Sequence, residues 1–293
     1  MSPSSDRVAE RLRWGARTYV MGILNVTPDS FSGDGVGGDL GAALARAEVA
    51  VADGADILDV GGESTRPGAH PVDEAEEARR VLPVIRALAD RTDVPISIDT
   101  SKAGVAERAL DAGACMVNDV WGLRRDPRMA HVVARAGAWV VLMHNRLAVP
   151  EVGEIGGYYP RAHYADVLED VAAELARNVE RAWGAGIRPE RILVDPGLGF
   201  GKTPAQSREL VRRLAELRAR LPCPLLVGPS RKSFVGLVTG APPEERSAET
   251  LAAVALCVAG GADVVRVHDV AAAVRACRVA DAIVRVPSPA EVE

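Results

Sequence analysis

The sequence is almost without lysine: its 293 residues include 32 arginines but only Lys102, Lys202 and Lys232, each just after an apparent strand end. Arginine serves nearly every surface cation, so the lysines mark places where a compact, rotatable ammonium is wanted. Cysteine is scarce as well. Cys115, Cys223, Cys257 and Cys277 lie in apolar surroundings without a C-x-x-C pair or a histidine at zinc-finger spacing. That excludes a zinc module and leaves reduced core thiols. No apolar run reaches the roughly 18 residues of a membrane span, and the N-terminus lacks a signal peptide's apolar stretch, so a cytoplasmic protein is expected. A net charge of -5 argues against a generally basic nucleic-acid face while leaving room for a local anion site.

What is present is a repeated alternation of short β-rich apolar runs, polar or Gly-rich turns, and alanine-rich segments of helical period. Strands are expected at 19–24, 55–60, 95–98, 115–118, 138–143, 191–194, 224–228 and 263–267. Helices are expected near 39–53, 74–90, 102–112, 127–136, 165–185, 204–220, 246–260 and 270–284. Eight βα units undivided by a Pro-rich linker match an α/β fold of the (β/α)8 TIM-barrel type, one domain over 18–285. Residues 1–17 read as an N-terminal extension on or near the surface, and 286–293 as a C-terminal tail.

In such a barrel the active site forms where the strands end. Strand 1 runs into Asn25-Val26-Thr27-Pro28-Asp29-Ser30-Phe31-Ser32. A neutral Asn there could ligate Mg²⁺ beside substrate phosphates, although turn residues also suit a plain surface loop. Strand 2 ends in Asp59-Val60-Gly61-Gly62-Glu63-Ser64-Thr65-Arg66-Pro67-Gly68, where paired glycines allow close backbone approach and Arg66 could grip an anion. Asp99-Thr100, Asn118-Asp119 and Asp195-Pro196 close strands 3, 4 and 6. Each could be a helix N-cap, but three at one mouth suit a flat heterocycle with adjacent N–H donors.

His144, after strand 5, reads as structural more readily than catalytic. The segment Gly197-Leu198-Gly199-Phe200-Gly201-Lys202-Thr203 fails P-loop spacing because Pro196 stands where the first glycine belongs. Its glycines would still let a tight loop lie under a planar ligand, with Phe200 as a face. Strand 7 leads into Gly228-Pro229-Ser230-Arg231-Lys232-Ser233-Phe234. Strand 8 leads into Arg266-Val267-His268-Asp269, where Arg266 and His268 share one face of an extended chain and suit an anion.

These segments, in this order between about residues 19 and 284, resemble dihydropteroate synthase, the folate-pathway enzyme that joins a dihydropterin to 4-aminobenzoate with release of diphosphate. The resemblance implies a pterin held deep in the barrel by Asp99, Asn118, Asp195 and Lys232. It implies a diphosphate site at Asn25, Arg66, Arg266 and His268, with Asn25 as the Mg²⁺ ligand. The aminobenzoate would lie nearer the mouth, on Thr65, Pro67, Phe200, Ser230 and Lys232, with Asp29 and Phe31 shielding the reacting methylene. Lys232, Arg266, His268 and Asp195 would carry the chemistry. Ser230 is expected to anchor a carboxylate, since no histidine and carboxylate partners for a catalytic triad are identifiable.

Small-molecule substrates, no nucleic acid, no membrane and a homodimer through outer helices complete the expectation. The chain departs from the usual family pattern at Val120-Trp121-Gly122, at Asn145-Arg146-Leu147 and at Gly33. The alternatives are a pterin-dependent methyltransferase working with a corrinoid protein, a pterin-binding paralogue without catalysis, and a barrel for some other phosphate.

Overall fold

Runs rich in Val, Ile and Leu, each stopped by glycine, proline or a polar turn, form eight strands. They are β1 Tyr19–Asn25, β2 Ile57–Gly61, β3 Ile96–Asp99, β4 Met116–Asp119, β5 Trp139–Met143, β6 Ile192–Asp195, β7 Leu226–Val227 and β8 Val264–Val267. The computed structural model describes residues 8, 11–27, 40–64, 71–146 and 163–285. Between the strands run α1 Leu40–Ala52, α2 Glu74–Ala89, α3 Ala103–Asp111, α4 Met129–Ala136 and α5 Val167–Gly184. These are followed by α6 Pro204–Arg212, α7 Leu214–Arg220, α8 Ser233–Thr239, α9 Ser247–Ala259 and α10 Val270–Val284.

All pairings are parallel, in the order β6-β5-β4-β3-β2-β1-β8-β7. A bridge between Val194 and Leu225 brings the two edges together, so the sheet is a nearly closed barrel, as expected from the eight βα units.

Two helices differ from expectation. The segment 204–220 divides at Arg213, which leaves helical geometry (φ -106°, ψ 23°) and pairs with Asp166 and Glu216. The loop after β7 contains α8, obscured in the sequence by Gly236. A Cβ there would lie 1.8 Å from Arg246 Nε and would displace its guanidinium, which bonds the Ala241 and Arg231 carbonyls.

Within the segment expected on or near the surface, two described residues turn inward. Val8 and Leu12 are buried and join Tyr19, Met21, Ile57, Met116, Trp139, Val141, Leu193, Leu226 and Val264 in one apolar cluster. Trp14 packs edge-on against Tyr19 and Trp139, with ring centroids 5.7 and 5.8 Å apart. Strand side chains alternate in direction, so these residues mark the inward face of each strand's N-terminal half. Val8, Leu12 and Trp14 plug the barrel floor. The four cysteines are buried and unbridged, as expected.

Candidate active site

Two residues further along the same inward faces, the apolar lining gives way to polar groups. Register places Asn25 beside Gly61, Gly61 beside Asp99, and Asp99 beside Asn118; Met143 lies beside Asp195. A Cβ at Gly61 would sit 3.5 Å from Asp99 Cβ and 3.8 Å from Asn25 Oδ1, so the glycine keeps the space between them open. The strand ends therefore form a polar ring above the plugged floor.

The ring is cross-linked by charge. Arg266 Nε donates to Asp59 Oδ2 at 2.6 Å, and its Nη2 donates to Asp99 Oδ2 at the same distance. Asn118 Nδ2 donates to the same Asp59 oxygen at 3.0 Å. Burial pushes the Asp99 carboxyl well above the usual range, and the nearby Asp59 adds to this against the opposing pull of Arg266. The Arg266 guanidinium is thus held inside the barrel by two carboxylates instead of standing at the rim. Asp59 was given no role from the sequence, where it stood only as the first residue of the strand 2 end.

Asp195 is buried, and its Oδ1 accepts the Gly197 N–H at 2.7 Å. Burial raises its pKa, against the pull of the Lys232 ammonium. Lys232 stands at the start of α8 and bonds the Leu198 carbonyl at 2.5 Å, with Nζ 4.8 Å from the Phe200 ring centroid. Burial lowers its pKa to about 8, with Asp195 opposing the shift. Phe200 packs with Val120, Trp121 and Met143 in a small apolar cluster, so Trp121 and the Met143 thioether help build its surroundings.

Ser230 has a histidine neighbour that the sequence did not reveal, with no carboxylate among the described residues bonded to that histidine to complete a triad. Because β7 and β8 are neighbours, their end loops meet, and Ser230 Oγ lies 2.9 Å from His268 Nδ1 and accepts the His268 backbone N–H at 3.3 Å. Arg231, beside it, adopts a left-handed conformation (φ 58°), and its N–H is bonded to Thr250 Oγ1.

The N-cap reading fits only part of the polar set. Asp119 accepts the backbone N–H groups of Trp121 and Leu123, a local turn role, and burial raises its carboxyl to about 6. Asp99 and Asn118 instead bond across the barrel. Asp29, Phe31, Thr65, Arg66, Pro67, Tyr158 and Tyr159 lie outside the described residues.

The other two lysines also serve where strands end. Lys202 Nζ reaches His144 Nδ1, Gly197 O and Phe200 O at 2.9, 2.9 and 3.0 Å. It ties the glycine loop to the end of β5. In that loop Gly197, Gly199 and Gly201 all have positive φ, and a Cβ at Gly197 would strike the His144 carbonyl oxygen at 2.0 Å. With Nδ1 accepting from Lys202, His144 Nε2 donates to Glu174 at 2.9 Å; burial, then Lys202, pushes its pKa down to about 3, so it is a neutral structural link. Lys102 pairs with Glu63 and Glu77 beneath the loop after β2.

Among the described residues no group of three or more His, Cys, Asp or Glu could hold a metal ion. Asn25 offers one neutral oxygen beside the gap at Gly61, which fits a Mg²⁺ ion whose other ligands come from phosphate and water.

The model of the family described as pterin binding enzyme matches residues 21–268. Dihydropteroate synthase of Synechocystis is 48% identical over 93% of this chain and 92% of its own length, and that of Bacillus subtilis 45% over 93% and 90%. The solved Xanthomonas albilineans dihydropteroate synthase with 4-aminobenzoic acid superposes with a TM-score of 0.85 at 44% identity, covering 95% of this chain and 97% of that one. With motifs, barrel and polar ring in agreement with these likenesses, the chain belongs to the dihydropteroate synthase family of pterin-binding enzymes.

Proposed function

We propose that this chain transfers the dihydropterin-6-ylmethyl group from its diphosphate to 4-aminobenzoate, giving 7,8-dihydropteroate and diphosphate. The observation that carries this reading is the convergence of Asp99, Asn118, Asp195 and Lys232 at one barrel mouth. A related structure from Xanthomonas albilineans holds 7,8-dihydropteroate. In the reaction the C–O bond to diphosphate breaks with its electron pair leaving on the diphosphate. The arylamine nitrogen bonds the methylene and releases a proton to solvent.

The pterin edge lies against Asp99, Asn118 and Asp195, and the negative charge of the two aspartates favours the cation-like ring that develops as the C–O bond loosens. Arg266 and His268 offset charge on the departing diphosphate. When Ser230 donates its hydroxyl proton to His268 Nδ1, the Nε2–H is left to face the anion. Lys232 borders both substrates, and Phe200 packs on the aminobenzoate. Asn25 would hold Mg²⁺, which supplies further charge neutralisation on the diphosphate when bound. Arg66, Thr65 and Pro67 belong to the same proposal, as do Asp29 and Phe31 as shields of the methylene. An arylamine is already nucleophilic, so no general base is assigned.

A homodimer is part of the proposal. Leu256 on α9 and Val279 and Ile283 on α10 are 60%, 63% and 69% exposed on helices that pack together, an apolar surface suited to a second copy. Sedimentation of the wild type giving only monomer would remove it. Location in the cytoplasm is proposed too. No described helix is long and apolar enough to cross a membrane, and fractionation of cells tests the location.

The decisive experiment is a coupled assay of diphosphate release from the pterin diphosphate on adding 4-aminobenzoate, with a sulfonamide as competitor. Release that depends on aminobenzoate and is suppressed by the sulfonamide supports the reading. Tight binding of the pterin diphosphate with no release would instead favour a non-catalytic pterin-binding protein.

A further inference from the structure

We infer that Asp59 is a positioning residue for this reaction: it fixes Asn118 and Arg266 so that Asn118 presents its carbonyl oxygen, and not its amide nitrogen, to the pterin. The inference rests on the pterin-binding role proposed for Asn118.

Asp59 lies on β2 with no solvent exposure, two residues before Gly61 and so on the same inward face. Leaving a carboxylate there without donors would be costly. Its Oδ2 accepts from Asn118 Nδ2 at 3.0 Å and from Arg266 Nε at 2.6 Å, while Oδ1 has no hydrogen-bond partner among the described residues. Among the described residues, its side-chain hydrogen bonds therefore serve two members of the polar ring.

A side-chain amide can turn by half a revolution and exchange donor for acceptor at nearly the same shape. A carboxylate accepts only, so contact with Asp59 Oδ2 fixes the Asn118 amide with its NH₂ pointing inward, and the oxygen is left for the ligand. Asp99 and Asp195 also present oxygens. The wall formed by Asp99, Asn118 and Asp195 is thus keyed to a heterocycle edge bearing adjacent N–H groups and opposed to an isosteric edge bearing acceptors. The same Asp59 oxygen holds the Arg266 guanidinium by one edge nitrogen, with Asp99 holding another, and so sets the direction in which its remaining donors face the diphosphate.

The test compares wild type, Asp59→Asn and Asp59→Leu for turnover, for the KM of each of the two substrates and for the thermal midpoint. Removing both acceptor contacts in Asp59→Leu should raise the pterin KM on the order of 10- to 100-fold, with the aminobenzoate KM changing far less. Asp59→Asn should recover much of that loss, because its amide oxygen can still accept from Asn118 and Arg266 without the charge. An unchanged pterin KM in folded Asp59→Leu overturns the inference, as does a parallel loss in both KM values and the thermal midpoint.

Should Asp59→Leu not fold, a double-mutant cycle of Asp59→Ala, which removes the acceptor without adding bulk, with Asn118→Ala decides. Non-additive effects on the pterin KM support the coupling, and additive ones overturn it. A wild type that turns over normally while the Asp59 variants show no pterin effect overturns only this role. A wild type that binds no pterin diphosphate overturns the functional reading beneath it.

Discussion

The lower and upper halves of the barrel interior come from the same strands and the same faces, yet they are opposite materials. Ile57 and Asp59 are two residues apart on β2, Met116 and Asn118 on β4, Leu193 and Asp195 on β6, Val264 and Arg266 on β8. In each pair the first residue joins the apolar cluster sealed by Val8, Leu12 and Trp14, and the second enters the polar ring. The floor gains stability by excluding water from close-packed hydrocarbon. The ring carries charges that are raised or lowered in pKa by the same exclusion. Function is confined to one end because the other end is filled.

If that division holds, a change in the ring should cost activity with little stability, and a change in the floor the reverse. Lys232→Ala should lower turnover roughly a hundred- to a thousandfold and weaken pterin and aminobenzoate together, with a nearly unchanged thermal midpoint. Retained binding of both substrates, measured by calorimetry, would sink the dual role of Lys232. Trp139→Ala, in the floor, should cost about 3 to 5 kcal/mol in denaturant titration while leaving both KM values close to wild type. Leu12→Ala should cost less, about 2 to 3 kcal/mol, as a smaller side chain in the same cluster. No loss at Leu12 would restore the reading of residues 1–17 as an extension on or near the surface.

The order of strands and helices was legible because apolar period and turn chemistry are local signals; the caps that Asp73, Asp166 and Thr203 place on α2, α5 and α6 came only with the structure. The barrel plug was not legible: Val8, Leu12 and Trp14 are scattered among arginines, and only the open bottom of the barrel gives them a common partner. The ring residues Asp99, Asn118, Asp195 and Lys232 could be named from strand ends and family motifs. Their connections could not, because Asp59 and Arg266 are far apart in sequence and meet only because β2 and β8 both pair with β1. The scarcity of lysine proved informative. All three ammonium groups sit among several acceptors or against an aromatic ring, where a compact donor fits better than a planar fork.

The smallest expected effect is a dependence on pH, and it belongs to the ring alone. Burial lowers the pKa of Lys232 to about 8, with Asp195 resisting the shift, so its charge is present below that value and lost above it. Because kcat/KM reports the free enzyme, its value for the pterin diphosphate should fall about tenfold per unit as pH rises beyond 8. On the acid side burial raises Asp99, so protonation and weakening of its pair with Arg266 should begin above the ordinary carboxylate range. Lys232→Arg keeps its charge throughout, and any activity it retains should lack the alkaline limb, whereas Trp139→Ala should keep both limbs. An alkaline limb unchanged in Lys232→Arg would assign the titration to the substrate or to another group, and would show that the half of the barrel bearing Lys232 is not where this proton is held.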